Sequence, residues 1–132
     1  MINQCLPWFA RIVKWRFRIP DERWRNVVMA YGSSVYTRVP EVEKEVVVHE
    51  CVHLDRQRNS KLYGLWWWLK YLVSPRFRFL EELVAYRRQY QWVCENRPRF
   101  RDHWLHKCAG DLSSETYGSL ISFEEAKKLI QE

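Results

Sequence analysis

The sequence predicts an α+β fold: a small N-terminal sheet, antiparallel or mixed, packed on a helical core of three to five helices. Three observations carry this expectation. Two β-rich runs, Asn26–Tyr31 (NVVMAY) and Val35–Val39 (VYTRV), are joined by Gly32-Ser33-Ser34, a hairpin signal. Beyond Pro40 the chain carries longer apolar-periodic runs broken at Ser74-Pro75 and Arg97-Pro98, which is how successive helices punctuate a sequence. Hydrophobic residues make up 47% and aromatics 16% of 132 residues, with eight Trp. That load lets a short chain bury one core, so residues 1–132 are expected to form a single domain.

Taken in order, Lys14–Ile19 (KWRFRI) alternates Trp15, Phe17 and Ile19 with Lys14, Arg16 and Arg18. This period of two predicts a half-buried strand ended by Pro20. The hairpin follows, and an edge of the sheet could receive an extended peptide by strand addition. Pro40 suits the first helical position, and Glu41 and Glu43 would complement the helix dipole. That helix should run to about Asn59-Ser60, with Val42, Val46, His49 and His53 on one face. Further helices are expected over Lys61–Val73, Arg78–Glu95 and Arg101–Cys108, the last closed by Ala109-Gly110. Asp111–Ser119 reads as a loop. Ser122-Phe123-Glu124-Glu125 is a capping box opening a short terminal helix.

The 22 basic and 16 acidic residues leave a net charge of +6, concentrated between Arg11 and Arg25 and around Arg76, Arg78, Arg97, Arg99 and Arg101. Such a balance draws acidic partners, nucleic acid or anionic lipid among them. No nucleic-acid-reading motif accompanies it, so nucleic acid is not the expected partner and the excess reads as a solvated basic face. Cys5, Cys51, Cys94 and Cys108 show no pairing pattern. Without a secretory signal, they are expected to be reduced thiols in a cytoplasmic protein. Leu62–Val73 (LYGLWWWLKYLV) is too short to span a bilayer and is interrupted by Lys70. A core helix is the expected reading, with contact at a membrane interface as the alternative.

The chemistry centres on His49-Glu50-Cys51-Val52-His53, an H-E-x-x-H motif. On a helix, residues four apart share a face, so His49 and His53 can present two imidazole nitrogens to one Zn2+ ion. Glu50 is then placed to take a proton from a metal-bound water. A catalytic zinc site usually has three protein ligands and an open position. The acidic candidates on the next well-formed helix are Glu81 and Glu82, in FLEELVAYRRQY. The rivals are His103 and His106, which share a helix face at i, i+3. With Cys94 and Cys108 these could also form a separate structural zinc site, although the spacing matches no regular finger pattern. Alternatively one of these histidines, or Tyr117, would hydrogen-bond the oxyanion of a tetrahedral intermediate.

The H-E-x-x-H helix followed by Glu82-x-x-Ala85 resembles the gluzincins, zinc peptidases whose third ligand is a Glu on a later helix. By its size the chain looks most like the minigluzincins, the very small single-domain members. The resemblance runs from about Val42 to Gln91 and implies a helical zincin core. It also implies His49, His53 and Glu82 as zinc ligands and Glu50 as general base and acid. Many gluzincins carry an Asp four residues after the ligand Glu, hydrogen-bonded to the first His. Here Tyr86 stands at that position and is the candidate partner for His49.

The expected function is that of a zinc metalloendopeptidase, a hydrolase acting on a peptide or protein substrate. The alternative is a catalytically weak zincin-fold subunit docked on a larger protein assembly, such as a phage particle, which would make it virion-associated. A latent enzyme is a third reading, because some minigluzincins are zymogens whose own terminal segment occupies the cleft. Here the loop Asp111–Ser119 would supply Asp111 or Glu115 to the zinc.

Overall fold

The computed structural model describes residues 1–132 and has the expected α+β architecture, with seven α-helices and a three-stranded mixed sheet. The chain opens with β1 (Ile2–Asn3), α1 (Ala10–Phe17) and α2 (Asp21–Trp24), followed by the hairpin β2 (Val28–Tyr31) and β3 (Ser34–Thr37). Then come α3 (Lys44–Arg56), α4 (Lys61–Val73), α5 (Pro75–Asn96), α6 (Arg101–Leu112) and α7 (Phe123–Gln131). Short 3-10 turns occupy Pro98–Phe100 and Glu115–Tyr117. The sheet order is β1-β3-β2, with β1 parallel and β2 antiparallel to β3. In the hairpin Met29 faces Tyr36 and Ala30 faces Val35, and Gly32 takes the left-handed conformation (φ 64°) that the tight turn requires.

Residues 14–19 do not form a strand. Phe9, Ala10, Val13 and Phe17 recur at helical spacing and turn one apolar face inward, while Trp15 stays exposed. The alternation within six residues was an incomplete sample of a 3.6-residue period that begins upstream of it. Arg18 ends α1 in the left-handed region (φ 50°), its N–H reaching the carbonyls of Lys14 and Trp15.

The helix carrying His49 also starts later than Pro40. Pro40–Glu43 is irregular, with Glu43 extended (ψ 139°), and the helix begins at Lys44. Glu45 in its first turn is buried and accepts from Arg97 Nη1 at 3.1 Å, tying the start of α3 to the end of α5. The helix ends at Arg56, before the left-handed pair Arg58 and Asn59. The next helix occupies Lys61–Val73 as expected, capped by Ser60. Pro75 is the first residue of α5 rather than a spacer before it, and the Ser74 hydroxyl accepts from Phe77 N. Gly110 does not close α6. A Cβ there would meet nothing, and the helix continues to Leu112, which is fully buried. The capping box at Ser122 and Glu125 is present.

Two large apolar clusters form, and a small third one of Ala30, Val35 and Leu54 joins the hairpin to α3. One gathers α5, α6 and α7 through Phe79, Leu83, Val93, Trp104, Leu112 and Ile130. The other joins α1, α2, the sheet and α4 through Phe9, Val13, Trp24, Met29, Trp67 and Trp68. Tyr117 packs against both.

The hairpin is fixed to the helices by Gln57, which is fully buried. Its Oε1 accepts from Gly32 N at 2.9 Å and its Nε2 donates to Ala30 O at 3.0 Å. Gly64 leaves room for this amide, because a Cβ there would stand 2.6 Å from Gln57 Oε1. Ala30 O has a second donor in Trp68 Nε1 at 2.9 Å, so removal of the Gln57 amide orphans mainly the Gly32 N–H. Gln57→Leu is therefore expected to lower unfolding free energy by about 1–3 kcal/mol in urea denaturation, with helical content retained.

Candidate metal centre

Helices α3 and α5 pack closely along their lengths and bring together His49, His53 and Glu82, a set of three buried donors able to hold a metal ion. The i, i+4 spacing puts both imidazoles on the α5-facing side of α3, and their Nε2 atoms stand 3.2 Å apart. The Glu82 carboxylate bridges them, with Oε2 3.0 Å from His49 Nε2 and Oε1 3.2 Å from His53 Nε2. The Tyr71 hydroxyl donates to Glu82 Oε1 at 2.7 Å. Without a metal, burial would raise the Glu82 carboxyl, but His53 and His49 in their charged forms would hold it well below the usual carboxylate range.

Aromatic rings frame the histidines. Tyr86 lies against His49 with ring centroids 4.6 Å apart, and Trp67 against His53 at 5.1 Å. Tyr86 is not the hydrogen-bond partner of His49. Nδ1 of His49 meets Gln89 Oε1 at 3.0 Å, seven residues and two turns beyond Glu82, whereas Tyr86 at i+4 presents its ring to the imidazole and its phenol to Asp111. The signal in the sequence was the i+7 spacing, which returns a helix to the same face. With an amide oxygen facing it, His49 Nδ1 carries a proton, so the neutral ring turns its Nε2 lone pair towards the Glu82 carboxylate. Lone-pair donors converging in this way favour a cation among them.

Glu50 lines the same cavity and is 9% exposed. Burial pushes its carboxyl up to about 8, with the His49 ring opposing, the Glu82 charge adding, and the Ala30 backbone N–H opposing from the edge of β2. Such a group can hold or release a proton near neutrality.

Glu81 faces the other way. It takes Arg56 in a bidentate pair, with Arg56 Nη2 to Oε1 at 2.6 Å and Arg56 Nε to Oε2 at 3.0 Å, and also accepts from Trp67 Nε1 at 2.9 Å. It is committed to packing α5 against α3 and α4. His103 and His106 do not reach the centre. Both are exposed on α6, beside Trp104 and Phe123 respectively, so the third ligand cannot be a histidine in this arrangement. Nor do they form a second metal set with Cys94 and Cys108, since His49, His53 and Glu82 are the one such group in the molecule. All four cysteines are unpaired.

Of the proposed oxyanion donors, Tyr117 alone reaches the cavity. Its phenol approaches those of Tyr71 and Tyr86, and burial raises all three so that they remain neutral donors. The segment Asp111–Ser119 thus lines the cavity through Tyr117 and not through a carboxylate. Asp111 faces Tyr86, and Glu115 lines a separate cavity with Arg16 and Arg78. Arg78 holds the segment down, donating to Thr116 O at 2.9 Å and Tyr71 O at 2.6 Å. The cavity measures about 180 Å³. A wider one of about 830 Å³ lies next to it, sharing Met29, Trp68, Tyr71 and Tyr117 as a wall.

No family model, curated protein or solved structure matches this chain.

Gln89→Ala is expected to weaken divalent-metal binding about 10–100-fold in competition with a chromophoric chelator. Tyr86→Phe should leave the affinity nearly unchanged, because the phenol makes no bond to His49.

Proposed function

We propose that this protein is a zinc-dependent metallopeptidase of gluzincin type. The observation that carries the reading is the convergence of His49, His53 and Glu82 with Glu50 in the same buried cavity. Donor atoms bound to one tetrahedral ion at about 2.0–2.1 Å stand about 3.3 Å apart. The separations of 3.0, 3.2 and 3.2 Å among the three donors are close to that spacing. The donor chemistry, two imidazoles and a carboxylate, also suits zinc.

When bound, zinc would lower the pKa of a water towards about 7 and polarise the scissile carbonyl. Glu50 removes the proton from the attacking water and delivers it to the leaving amine. Gln89 holds the His49 tautomer that presents Nε2, and Tyr71 fixes the orientation of the Glu82 carboxylate through its hydroxyl. Tyr117 supplies a neutral O–H to the developing oxyanion.

Metal analysis and a broad peptide-library cleavage assay test the reading together. The wild-type chain should carry one zinc and cleave. Glu50→Gln should retain the zinc and lose about 10²–10⁴-fold in turnover, as removal of a general base does. A chain that takes up no zinc, or a Glu50→Gln variant with full hydrolysis, refutes it.

Tyr117→Phe should keep the zinc and lower kcat by about 10²–10³-fold, while His103→Ala and His106→Ala leave kcat unchanged. One observation favours a resting state of low activity. His49, His53 and Glu82 are each less than a tenth exposed and Tyr117 lines their cavity, so in this reading the Arg78-held segment moves to admit a peptide.

A further inference from the structure

The metal centre leaves unused the outer surface formed by α1 and α4. Side chains at and before α1 reach α4, with the Phe9 ring 5.5 Å from Trp68, the Phe17 ring edge-on to Tyr71 at 6.0 Å, and Arg16 Nε donating to Leu72 O at 3.0 Å. The inward faces of both helices are buried in the aromatic cluster. Their outward faces carry Leu62, Leu65, Trp66 and Leu69 on α4 and Ile12 and Trp15 on α1, between 38% and 79% exposed. On α4 these positions recur at i, i+3, i+4 and i+7, one stripe along the helix. A second apolar stripe on a helix whose first stripe is already buried marks a surface built for contact.

The charge around it is mostly basic, with Asp21 paired to Lys14. Residues 1–20 and 56–80 contain no Asp or Glu but carry Arg11, Lys14, Arg16, Arg18, Lys61, Lys70, Arg76 and Arg78. At the end of α1, Trp15, Arg16, Arg18 and Arg78 wall a cavity of about 530 Å³, with Glu115 as its one acidic residue. An apolar stripe with Trp at its margins and cations beside it matches the boundary between acyl chains and anionic headgroups. A second copy would oppose two surfaces of like charge. Nucleic acid would leave the aliphatic stripe in water. No helix is long and apolar enough to cross a membrane, so α4 would lie in the plane of the bilayer.

We propose that the α1–α4 face seats this protein on an anionic lipid bilayer, the apolar stripe entering the headgroup–acyl boundary and the cavity of Arg16, Arg18 and Arg78 receiving a phosphate headgroup. This is independent of the metal-centre reading. Flotation of the full chain with phosphatidylcholine vesicles, with and without about one-third phosphatidylglycerol, tests it. Partition should be at least about tenfold stronger onto the anionic vesicles.

A Trp66→Asp/Leu69→Asp double variant, altered only at exposed positions, should lose about tenfold or more of that binding with an unchanged circular dichroism spectrum. Trp15→Ala should lose a smaller part, and Arg18→Gln should reduce the preference for anionic lipid. The proposal is overturned if the wild-type chain does not float with anionic vesicles, or if it floats equally with both kinds. Equal flotation of the double variant and the wild type would reduce the contact to charge alone and overturn it too. Self-association dissolved by the double variant, without flotation of the wild type, would assign the face to a second copy instead.

Discussion

A carboxylate buried between two imidazoles is the constraint on which the rest of the structure depends. Glu82 is 4% exposed, and removing an ionised carboxylate from water costs several kcal/mol unless hydrogen bonds or charge offset it. The Tyr71 hydroxyl contributes one bond, and the two histidines approach from α3. Because α3 and α5 must come close enough for this, the helices around them are arranged to hold that approach. Glu81 and Arg56 clamp them on one side, and Glu45 and Arg97 join their opposite ends. A cation among the three donors would relieve their mutual repulsion, so metal uptake and stability of the fold should be linked.

The two large apolar clusters meet at this centre. Tyr117 packs against both and also lines the cavity of the three donors. Packing and access to the site are therefore coupled through one side chain. The segment that carries Tyr117 is a short 3-10 turn rather than a long helix, held to the end of α4 by the Arg78 guanidinium. A turn with few backbone bonds of its own is the kind of element that opens at low energetic cost.

Much of the arrangement was legible where local chemistry decides the outcome. The Ser122 capping box, the hairpin at Gly32 and the bounds of α4 follow from short-range rules, and each is where those rules put it. The helix offset between His49 and His53 and the later carboxylate likewise anticipated the donor set. Misreadings arose where tertiary packing chooses. Lys14–Ile19 alternates in polarity yet folds as a helix, because Phe9 and Val13 extend its apolar face. Pro40 is a good helix start, but the buried pairing of Glu45 with Arg97 lies one turn later. Gln89 in place of Tyr86 could not be chosen by type, since both can accept an imidazole proton; only the α3–α5 distance decides which reaches.

The outer edge of β2 has a consequence for chain geometry in the cleft. Ala30 O accepts from both Gln57 Nε2 and Trp68 Nε1, which uses both lone pairs of that carbonyl. An incoming backbone laid along β2 would find no free acceptor there and could pair only towards Val28. The span of main-chain recognition is thereby cut to roughly one dipeptide repeat. Under the peptidase function proposed above, discrimination between polypeptides would then fall on side chains meeting the Met29 and Trp68 wall, and bulk near the reacting bond would matter more than extended sequence.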